Sequence, residues 1–429
     1  MINLNTHRSQ ELFERASRHF PLGVSSPVRY FQPFPIFMKR ASGSRLWDVD
    51  GNEYIDFNMG FGPSILGHAD PDVLKFVEHT MEDGLIFGTP SELELDLADL
   101  LQEADPNLEM VRFCNSGTEA TMHAIRLSRG YTNRKLIVKM EGGFHGSHDY
   151  ALIKSGSGGL TFGMSSSAGV PEEVGRTVLI ASFNDLDGLR KLFREHGDQI
   201  ACVITEPVFG NTGVIEPDEG FLEGIRDLCT QYGSLFVLDE VITGFRFGFS
   251  TYQRLANVEA DLTILGKIVG GGLPIGVFGG SSEIMKMVAP SGKVYVSGTF
   301  SGNPISMSSG VATLRKLRRT DYSSLLENTM WVREQLEVAL KDIHGRGTVN
   351  AAGSMFQIFP GTDRVRTYSD AMGSDSVFYM RLFRKLLQDG VYLAPGQYET
   401  NFLSFAHTRA DLEQAVRKTK KALLELSPP

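Results

Sequence analysis

Two side chains in the 429-residue sequence are suited to chemistry at a carbonyl group. Lys267 follows the apolar run 262–265 and lies shortly before three consecutive glycines, and Asp239 ends the apolar run 235–238. A lysine amine forms an imine with a carbonyl, and a carboxylate keeps a pyridine nitrogen protonated, which makes the ring an electron sink. The pair therefore predicts a pyridoxal site with Lys267 as the Schiff-base lysine. Taken singly, Lys267 could instead be a surface lysine in a flexible turn, and Asp239 could be a helix N-cap.

The phosphate of such a cofactor needs hydrogen-bond donors, and residues 115–118 offer them. Asn115, Ser116, Gly117 and Thr118 stand where a predicted strand turns into a helix. Backbone N–H groups at a helix N-terminus bind anions, and the two hydroxyls add further donors. Ser116 and Glu119 also read as a helix-capping pair, and a capped helix still has outward-facing donors. Both readings stay open.

An aromatic side chain could cover the cofactor ring. Phe144 lies in the segment 141–146, Glu-Gly-Gly-Phe-His-Gly, directly after another predicted strand. An aromatic ring at this position could lie flat on a pyridine ring. For a single Phe, burial in the hydrophobic core is the alternative.

Composition excludes several classes of function. A net charge of −9 without a Lys/Arg cluster argues against nucleic acid as a partner. Three widely spaced cysteines without a C-x-x-C pattern predict reduced thiols, with neither a disulfide nor a metal site. No run approaches the roughly 18 apolar residues of a membrane span, and the N-terminal residues lack the apolar core of a secretory signal. We therefore expect a soluble, cytoplasmic protein that acts on a small molecule.

The elements that must position these residues alternate between short apolar runs and helices. This alternation is typical of a doubly wound, mainly parallel α/β sheet. We expect an N-terminal segment over 1–70, a large cofactor-binding domain over 71–320 and a C-terminal α+β domain over 321–429. The N-terminal segment should join the smaller C-terminal lobe. The predicted strands of the large sheet are 110–114, 136–139, 177–181, 201–205, 235–238, 262–265 and 277–279.

Taken together, the motifs resemble the class-III aminotransferase family of fold-type-I pyridoxal-phosphate enzymes. The resemblance runs from about Gly23 to the C-terminal helix and implies a seven-stranded, mainly parallel sheet flanked by helices. The segments that carry it, in order, are Ser116–Thr118, Gly143–Gly146, Glu206–Pro207, Asp239–Val241 with Thr243–Arg246, Gly266–Lys267 and Gly298–Pro304.

The resemblance implies roles for single residues. Lys267 carries pyridoxal 5′-phosphate, which alternates with pyridoxamine 5′-phosphate, and Asp239 pairs with the ring nitrogen. The family motif at Gly298 and Thr299 reaches the phosphate of the neighbouring subunit, which implies a homodimer with shared active sites. Further cofactor contacts are expected from Ser116, Gly117, Thr118, Phe144, His145, Glu206 and Val241.

Three segments resemble a branch of the family that moves an amino group without an outside donor. They are Gly23–Arg29, Gly271–Gly276 with Met287–Pro290, and Leu393–Glu399 with Ala406–Thr408. An acidic amino aldehyde as substrate needs a cationic fork, which Arg29 with Ser26 would supply. Glu399 would face the substrate amine. A surface ion pair for Arg29 and a loop-tip charge for Glu399 are the alternatives.

Two positions depart from the family pattern, and two rival functions stay open. Phe61, at the substrate side, stands where many members have tryptophan, and Phe144 stands where many have tyrosine, so Phe144 can stack but lacks a hydroxyl. The rivals are an aminotransferase for a β- or ω-amino acid with a keto-acid acceptor, and a catalytically silent homologue. The Gly/Ser-rich stretch 154–169 predicts a lid.

Overall fold

The computed structural model describes residues 5–154 and 167–426 of the chain. Fourteen strands lie within these ranges. They are β1 Met38–Ser42, β2 Arg45–Asp48, β3 Glu53–Asp56, β4 Met110–Cys114, β5 Leu136–Met140, β6 Val178–Ala181, β7 Ile200–Thr205, β8 Leu235–Asp239, β9 Leu262–Gly266, β10 Gly276–Gly280, β11 Gly347–Ala352, β12 Met355–Pro360, β13 Val391–Tyr392 and β14 Asn401–Phe402.

A seven-stranded sheet forms the centre of the fold, in the order β4-β10-β9-β8-β7-β5-β6. Neighbouring strands pair in parallel across β9, β8, β7, β5 and β6. Strand β10 alone in this sheet runs antiparallel to its neighbours, β4 and β9. Every residue of β7, β8 and β9 is buried. Strands covered on both faces are apolar throughout, which is why their runs are visible in the sequence. The predicted mainly parallel sheet is confirmed.

Helices cover both faces of this sheet. Helix Gly117–Thr132 packs Ala120 and Ala124 against Val237 of β8 and Ile264 of β9. The α-helices are His7–Ala16, Pro71–Glu82, Glu92–Ala104, Gly117–Thr132, Asp149–Leu152, Glu172–Gly175, Leu186–His196, Phe221–Tyr232, Tyr252–Ala256, Ser282–Met285, Pro304–Leu317, Ser323–Ala339, Tyr368–Met372, Ser376–Gln388 and Arg409–Leu426. Short 3-10 turns span Pro21–Gly23, Pro27–Arg29, Gly210–Thr212 and Lys267–Gly270, and a π-turn spans Leu340–His344.

Two small sheets complete the fold, and one joins the two ends of the chain. In the order β1-β2-β3-β13, the C-terminal strand β13 pairs in parallel with β3. The other sheet has the order β11-β12-β14 and is antiparallel. Strands β3, β11 and β14 were not part of the sequence prediction. The domain boundaries at 70 and 320 stay a prediction.

Within the described ranges, no helix is long and apolar enough to cross a membrane. The stretch expected to form a lid, 154–169, falls mostly outside the described residues, so that expectation stays a prediction.

Candidate active site

Lys267 stands at the carboxyl end of β9, as the first residue of the 3-10 turn Lys267–Gly270. Its backbone is in the left-handed region, with φ of 44°. A side chain at such a φ is strained, and strain of this kind is found mainly where function requires it. In an open α/β sheet, the crevice beyond the carboxyl ends of the strands is the usual ligand site.

The surroundings of Lys267 favour a neutral amine. Burial, and after it the positive charge of Arg246, lower the pKa of Lys267 to about 8. Three carboxylates act in the opposite direction and raise it: Glu399, Glu206 and Asp239. These charges act on one amine, so the structure brings together four residues that the sequence predicted for the site. An amine with a lowered pKa is suited to nucleophilic attack and to proton transfer.

Asp239 ends β8 and is 4% exposed. Its Oδ2 lies 2.7 Å from Nδ1 of His145, and its Oδ1 accepts a hydrogen bond of 3.1 Å from the N–H of Val241. Turns and not a helix follow Asp239 over 241–245, so Asp239 caps a turn, and the alternative of a helix N-cap is wrong. This cap is compatible with a role toward a ring nitrogen, because each carboxylate oxygen accepts more than one hydrogen bond. His145 is 1% exposed, and its Nε2 has no partner among the described residues.

The candidate phosphate seat opens helix Gly117–Thr132. Ser116 Oγ accepts a hydrogen bond of 3.1 Å from the N–H of Glu119, so the predicted cap is present. Thr118 Oγ1 accepts one of 3.2 Å from the N–H of Ser147. The N–H groups that begin this helix remain suited to an anion.

Val241 lies between the phosphate seat and the strand that leads to Lys267. A methyl group added at Gly117 would lie 3.1 Å from Val241 Cγ2, and one added at Gly266 would lie 3.3 Å from Val241 Cγ1. The two glycines thus keep the backbone close to the Val241 side chain on both sides. This contact links the phosphate seat to the Lys267 turn.

Glu206 follows β7 directly and is 3% exposed. Its Oε1 accepts a hydrogen bond of 3.4 Å from the N–H of Phe144, and its Oε2 accepts from the N–H groups of Gly210 and Asn211 at 2.9 and 3.3 Å. Burial raises the pKa of Glu206. Glu206 therefore anchors the backbone of the predicted stacking residue.

Glu399 is 8% exposed, so the alternative of a loop-tip charge is wrong. The buried carboxamide of Gln357 fixes its loop: Nε2 donates to the carbonyl of Gln397 at 2.8 Å and also to that of Glu399. Asn401 in turn donates to Gln357 Oε1 at 2.8 Å. This network fixes the loop in a position from which the Glu399 carboxylate raises the pKa of the Lys267 amine.

Arg29 and Phe61 line the same cavity, of about 510 Å³. Arg29 is exposed and, within the described residues, forms no ion pair. The wall of this cavity includes Ser25 rather than the predicted Ser26. The structure thus groups Arg29 with Phe61.

The backbone around Phe61 is strained. Residues Met59, Gly60, Phe61 and Gly62 all have positive φ, of 48°, 67°, 63° and 106°. A run of four such residues forms a left-handed turn, which L-residues other than glycine adopt at a cost.

Gly298 and Thr299 are exposed at the surface of this chain. A methyl group at Gly298 would lie 3.5 Å from Nδ2 of Asn115, the residue before the phosphate seat. Near them, Tyr295 is 71% exposed and Phe300 is 61% exposed. The segment is therefore free to contact another molecule.

Sequence reasoning missed two buried cations. Arg246 is fully buried: its Nη2 donates to the Gly62 carbonyl at 2.7 Å, and its Nε to the Ile242 carbonyl at 2.8 Å. Lys139 of β5 is 1% exposed. Because charged side chains are rarely buried, no sequence rule selects them, although Arg246 ends the motif Thr243–Arg246.

The donor set fits pyridoxal phosphate. It combines a partly buried amine of lowered pKa, a buried carboxylate, an anion seat at a helix N-terminus and a glycine-lined contact at Val241. Within residues 5–154 and 167–426, no group of three or more His, Cys, Asp or Glu side chains could hold a metal ion.

Comparison with known proteins agrees with this site. The family model described as "Aminotransferase class-III" matches residues 27–423. Glutamate-1-semialdehyde 2,1-aminomutase of Thermoplasma volcanium is 54% identical over 418 residues, which cover 97% of this chain and 99% of that protein.

Two solved structures show the same fold. An omega-transaminase from Sphaerobacter thermophilus has a TM-score of 0.91 at 34% identity and covers 99% of this chain and 100% of its own. A variant of a glutamate-1-semialdehyde-aminomutase from Pseudomonas aeruginosa PAO1, in complex with PMP, has a TM-score of 0.88 at 25% identity, covering 98% and 94%. The family prediction made from the sequence is confirmed: the chain belongs to the class-III aminotransferases.

Proposed function

We propose that this protein converts glutamate-1-semialdehyde, (S)-4-amino-5-oxopentanoate, into 5-aminolevulinate for tetrapyrrole biosynthesis. The amino group moves from one carbon of the substrate skeleton to its neighbour without an outside donor. The observation that carries the proposal is the buried Glu399 carboxylate, whose negative charge acts on the Lys267 amine, where an amine-bearing substrate would react. The 54% identity to an aminomutase over nearly the whole chain supports it.

We propose pyridoxal 5′-phosphate, alternating with pyridoxamine 5′-phosphate, as the cofactor. When bound, it supplies an exchangeable amino group and a ring that withdraws electrons from the reacting carbons. Ser116, Gly117 and Thr118 hold its phosphate by the N–H groups of the helix N-terminus, and Phe144 stacks on its ring. Val241 packs against Gly117, and Glu206 accepts a hydrogen bond from Phe144, so these two side chains hold the cofactor-binding residues in place.

Lys267 does the proton transfers. Lys267 would hold the cofactor in its pyridoxal form, and when its amine is free, Nζ takes up and returns a proton at the reacting carbons of the substrate. A pKa of about 8 suits this task, since a base works best when its pKa is close to the working pH. Asp239 holds the proton of the ring nitrogen, and His145 orients Asp239.

The substrate is held at both ends. Arg29 binds the carboxylate through its bidentate guanidinium, with Ser26 beside it, and Phe61 forms the apolar wall. Glu399 faces the amino group. The first half of the reaction converts the substrate into a diamine. In the second half the diamine gives up its other amino group and 5-aminolevulinate is formed, so the diamine has to stay bound between the two halves.

We propose a homodimer in which Gly298 and Thr299 reach the phosphate of the partner. The exposed rings of Tyr295 and Phe300 support this, because large apolar side chains clustered at a surface mark contact sites. Since an amino aldehyde reacts readily with other amines, we also propose glutamyl-tRNA reductase as the protein that hands over the substrate. The expected cytoplasmic location stays a prediction.

The second candidate is an aminotransferase acting on a β- or ω-amino acid. It is supported by the omega-transaminase structure, which is more similar in sequence than the aminomutase structure, at 34% against 25%. Such an enzyme has to exchange two substrates in turn, so its turnover depends strictly on a keto-acid acceptor. The combination of Lys267 and Asp239 argues against a silent homologue.

A single incubation distinguishes the two proposed functions. Cofactor-loaded protein receives glutamate-1-semialdehyde with neither amino donor nor keto acid, and 5-aminolevulinate is followed against a no-enzyme control. We expect many turnovers per subunit. No product, followed by activity once a donor and an acceptor are added, would move the protein to the second candidate.

A further inference from the structure

The peptide group between Gly143 and Phe144 is held on both edges by buried side chains of opposite charge. On one edge, Lys139 Nζ donates to the Gly143 carbonyl at 3.1 Å. On the other, the Phe144 N–H donates to Glu206 Oε1 at 3.4 Å. The C=O and N–H of a trans peptide point in opposite directions in one plane. The two side chains therefore contact the same rigid unit from opposite sides.

The charges make this arrangement directional. A flipped peptide would turn its carbonyl toward the Glu206 carboxylate and its N–H toward the Lys139 ammonium, and both contacts would be repulsive. Lys139 and Glu206 are 1% and 3% exposed, so water screens neither contact. One orientation of the Gly143–Phe144 peptide is thus strongly favoured.

Both side chains are themselves fixed by other contacts. Lys139 Nζ also donates to the carbonyls of Ile153 and Lys154, at 2.8 and 3.4 Å, so all three ammonium hydrogens have acceptors. Within the described ranges, none of its hydrogen bonds goes to a carboxylate. A simple ion pair does not explain this burial, which lowers the pKa of Lys139 to about 7.

The loop that follows leaves little room for adjustment. A methyl group at Gly143 would lie 3.0 Å from His145 Nε2, and one at Gly146 would lie 2.6 Å from Thr118 Cα. The loop is therefore packed against the phosphate seat, and the Gly143–Phe144 peptide sets the direction in which the Phe144 side chain leaves the backbone.

We propose that Lys139 is a positioning residue of the cofactor site, which acts with Glu206 through the Gly143–Phe144 peptide to place the Phe144 ring. The inference rests on the stacking role proposed above for Phe144. The competing explanation is that Lys139 only fastens Ile153 and Lys154, in which case its effect on the cofactor would not depend on Phe144.

A double-mutant cycle separates the two. The dissociation constant of pyridoxal phosphate is measured by equilibrium dialysis of the holoenzyme for the unmodified chain, Lys139→Met, Phe144→Ala and the double variant. We expect Lys139→Met to weaken binding about tenfold in the unmodified chain but less than about twofold in the Phe144→Ala background, since interacting residues are not additive. The circular dichroism of the bound cofactor should change in Lys139→Met.

Two controls complete the test. Lys135→Met removes an exposed lysine just before the same strand and should leave the dissociation constant unchanged. If Lys139→Met does not fold, Lys139→Arg, which keeps charge and donors, takes its place in the cycle with a smaller expected loss. Equal effects of the Lys139 variant in both backgrounds would overturn the inference. If Phe144→Ala alone leaves the dissociation constant of pyridoxal phosphate unchanged, Phe144 does not stack on the cofactor. Turnover of glutamate-1-semialdehyde without an amino donor tests the aminomutase proposal separately.

Discussion

Nδ1 of His145 lies 2.7 Å from Oδ2 of Asp239, and both side chains are almost fully buried. With its proton on Nδ1, the imidazole donates to the carboxylate and leaves an unpaired lone pair at Nε2. A buried carboxylate is costly unless it accepts hydrogen bonds, so the contact with His145 stabilises the Asp239 carboxylate in its buried position.

Replacing His145 should therefore impair the reaction through Asp239. His145→Ala leaves Oδ2 without its donor, and loss of a hydrogen bond to a charged group corresponds to a roughly 10- to 100-fold fall in kcat. His148→Ala is the matched control, because His148 is a half-buried histidine of the same loop whose ring contacts Thr121 and, among the described residues, no carboxylate. Steady-state turnover checks both. Equal losses would show that the loop, and not the Asp239 contact, is responsible.

The reaction should speed up as pH rises through about 8. The pyridoxamine-loaded enzyme needs Lys267 unprotonated, and burial with the Arg246 charge holds its pKa at about 8. The pH profile of kcat/KM should thus have an ascending limb there. Arg246→Met removes a positive charge, raises the Lys267 pKa and moves the limb to higher pH, whereas Arg246→Lys should not. A limb unmoved by Arg246→Met would contradict this electrostatic link.

Gly62 should tolerate a methyl group poorly. Gly62 has φ of 106°, and an added methyl would lie 3.0 Å from both Arg246 Nη2 and the Phe402 ring. Gly51→Ala is the control, since Gly51 has φ of 91° and no neighbour within 4 Å. We expect Gly51→Ala to cost about 1 kcal/mol and Gly62→Ala about 2–4 kcal/mol in free energy of unfolding, measured in urea. Similar costs would mean that Arg246 and Phe402 move aside freely.

Arg29 should matter for binding the substrate and little for holding the cofactor. Arg29→Lys keeps the charge but loses the bidentate fork, so KM should rise about tenfold while the cofactor dissociation constant stays unchanged. Arg40→Lys is the control, because Arg40 is an exposed arginine that covers Trp47. If KM stays the same in Arg29→Lys, the cavity of Arg29 and Phe61 does not take the substrate carboxylate.

The central sheet could be predicted because its strands are short runs of mostly apolar residues, and all seven predicted runs are strands. Polar residues interrupt them at few places, such as Arg112 of β4 and Lys139 of β5. Strand β11 was missed because Thr348 and Asn350 interrupt its apolar pattern, and it is held by pairing as a hairpin with the next strand, β12.

The site could be predicted in part. Lys267, Asp239 and Glu206 end or follow strands of one sheet, so parallel topology alone brings them to one edge. Lys139 and Arg246 could not be found, since only the folded chain provides the carbonyl groups that make their burial possible.

Covalent attachment of the cofactor tests the central claim most directly. Burial lowers the pKa of Lys267 to about 8 and that of Lys139 to about 7. The pyridoxal-phosphate-loaded protein is reduced with borohydride and digested, and the modified peptide is identified by mass spectrometry. The account predicts that the label is on Lys267 and that Lys267→Ala carries none. A label on Lys139, or an equal label in Lys267→Ala, would contradict it.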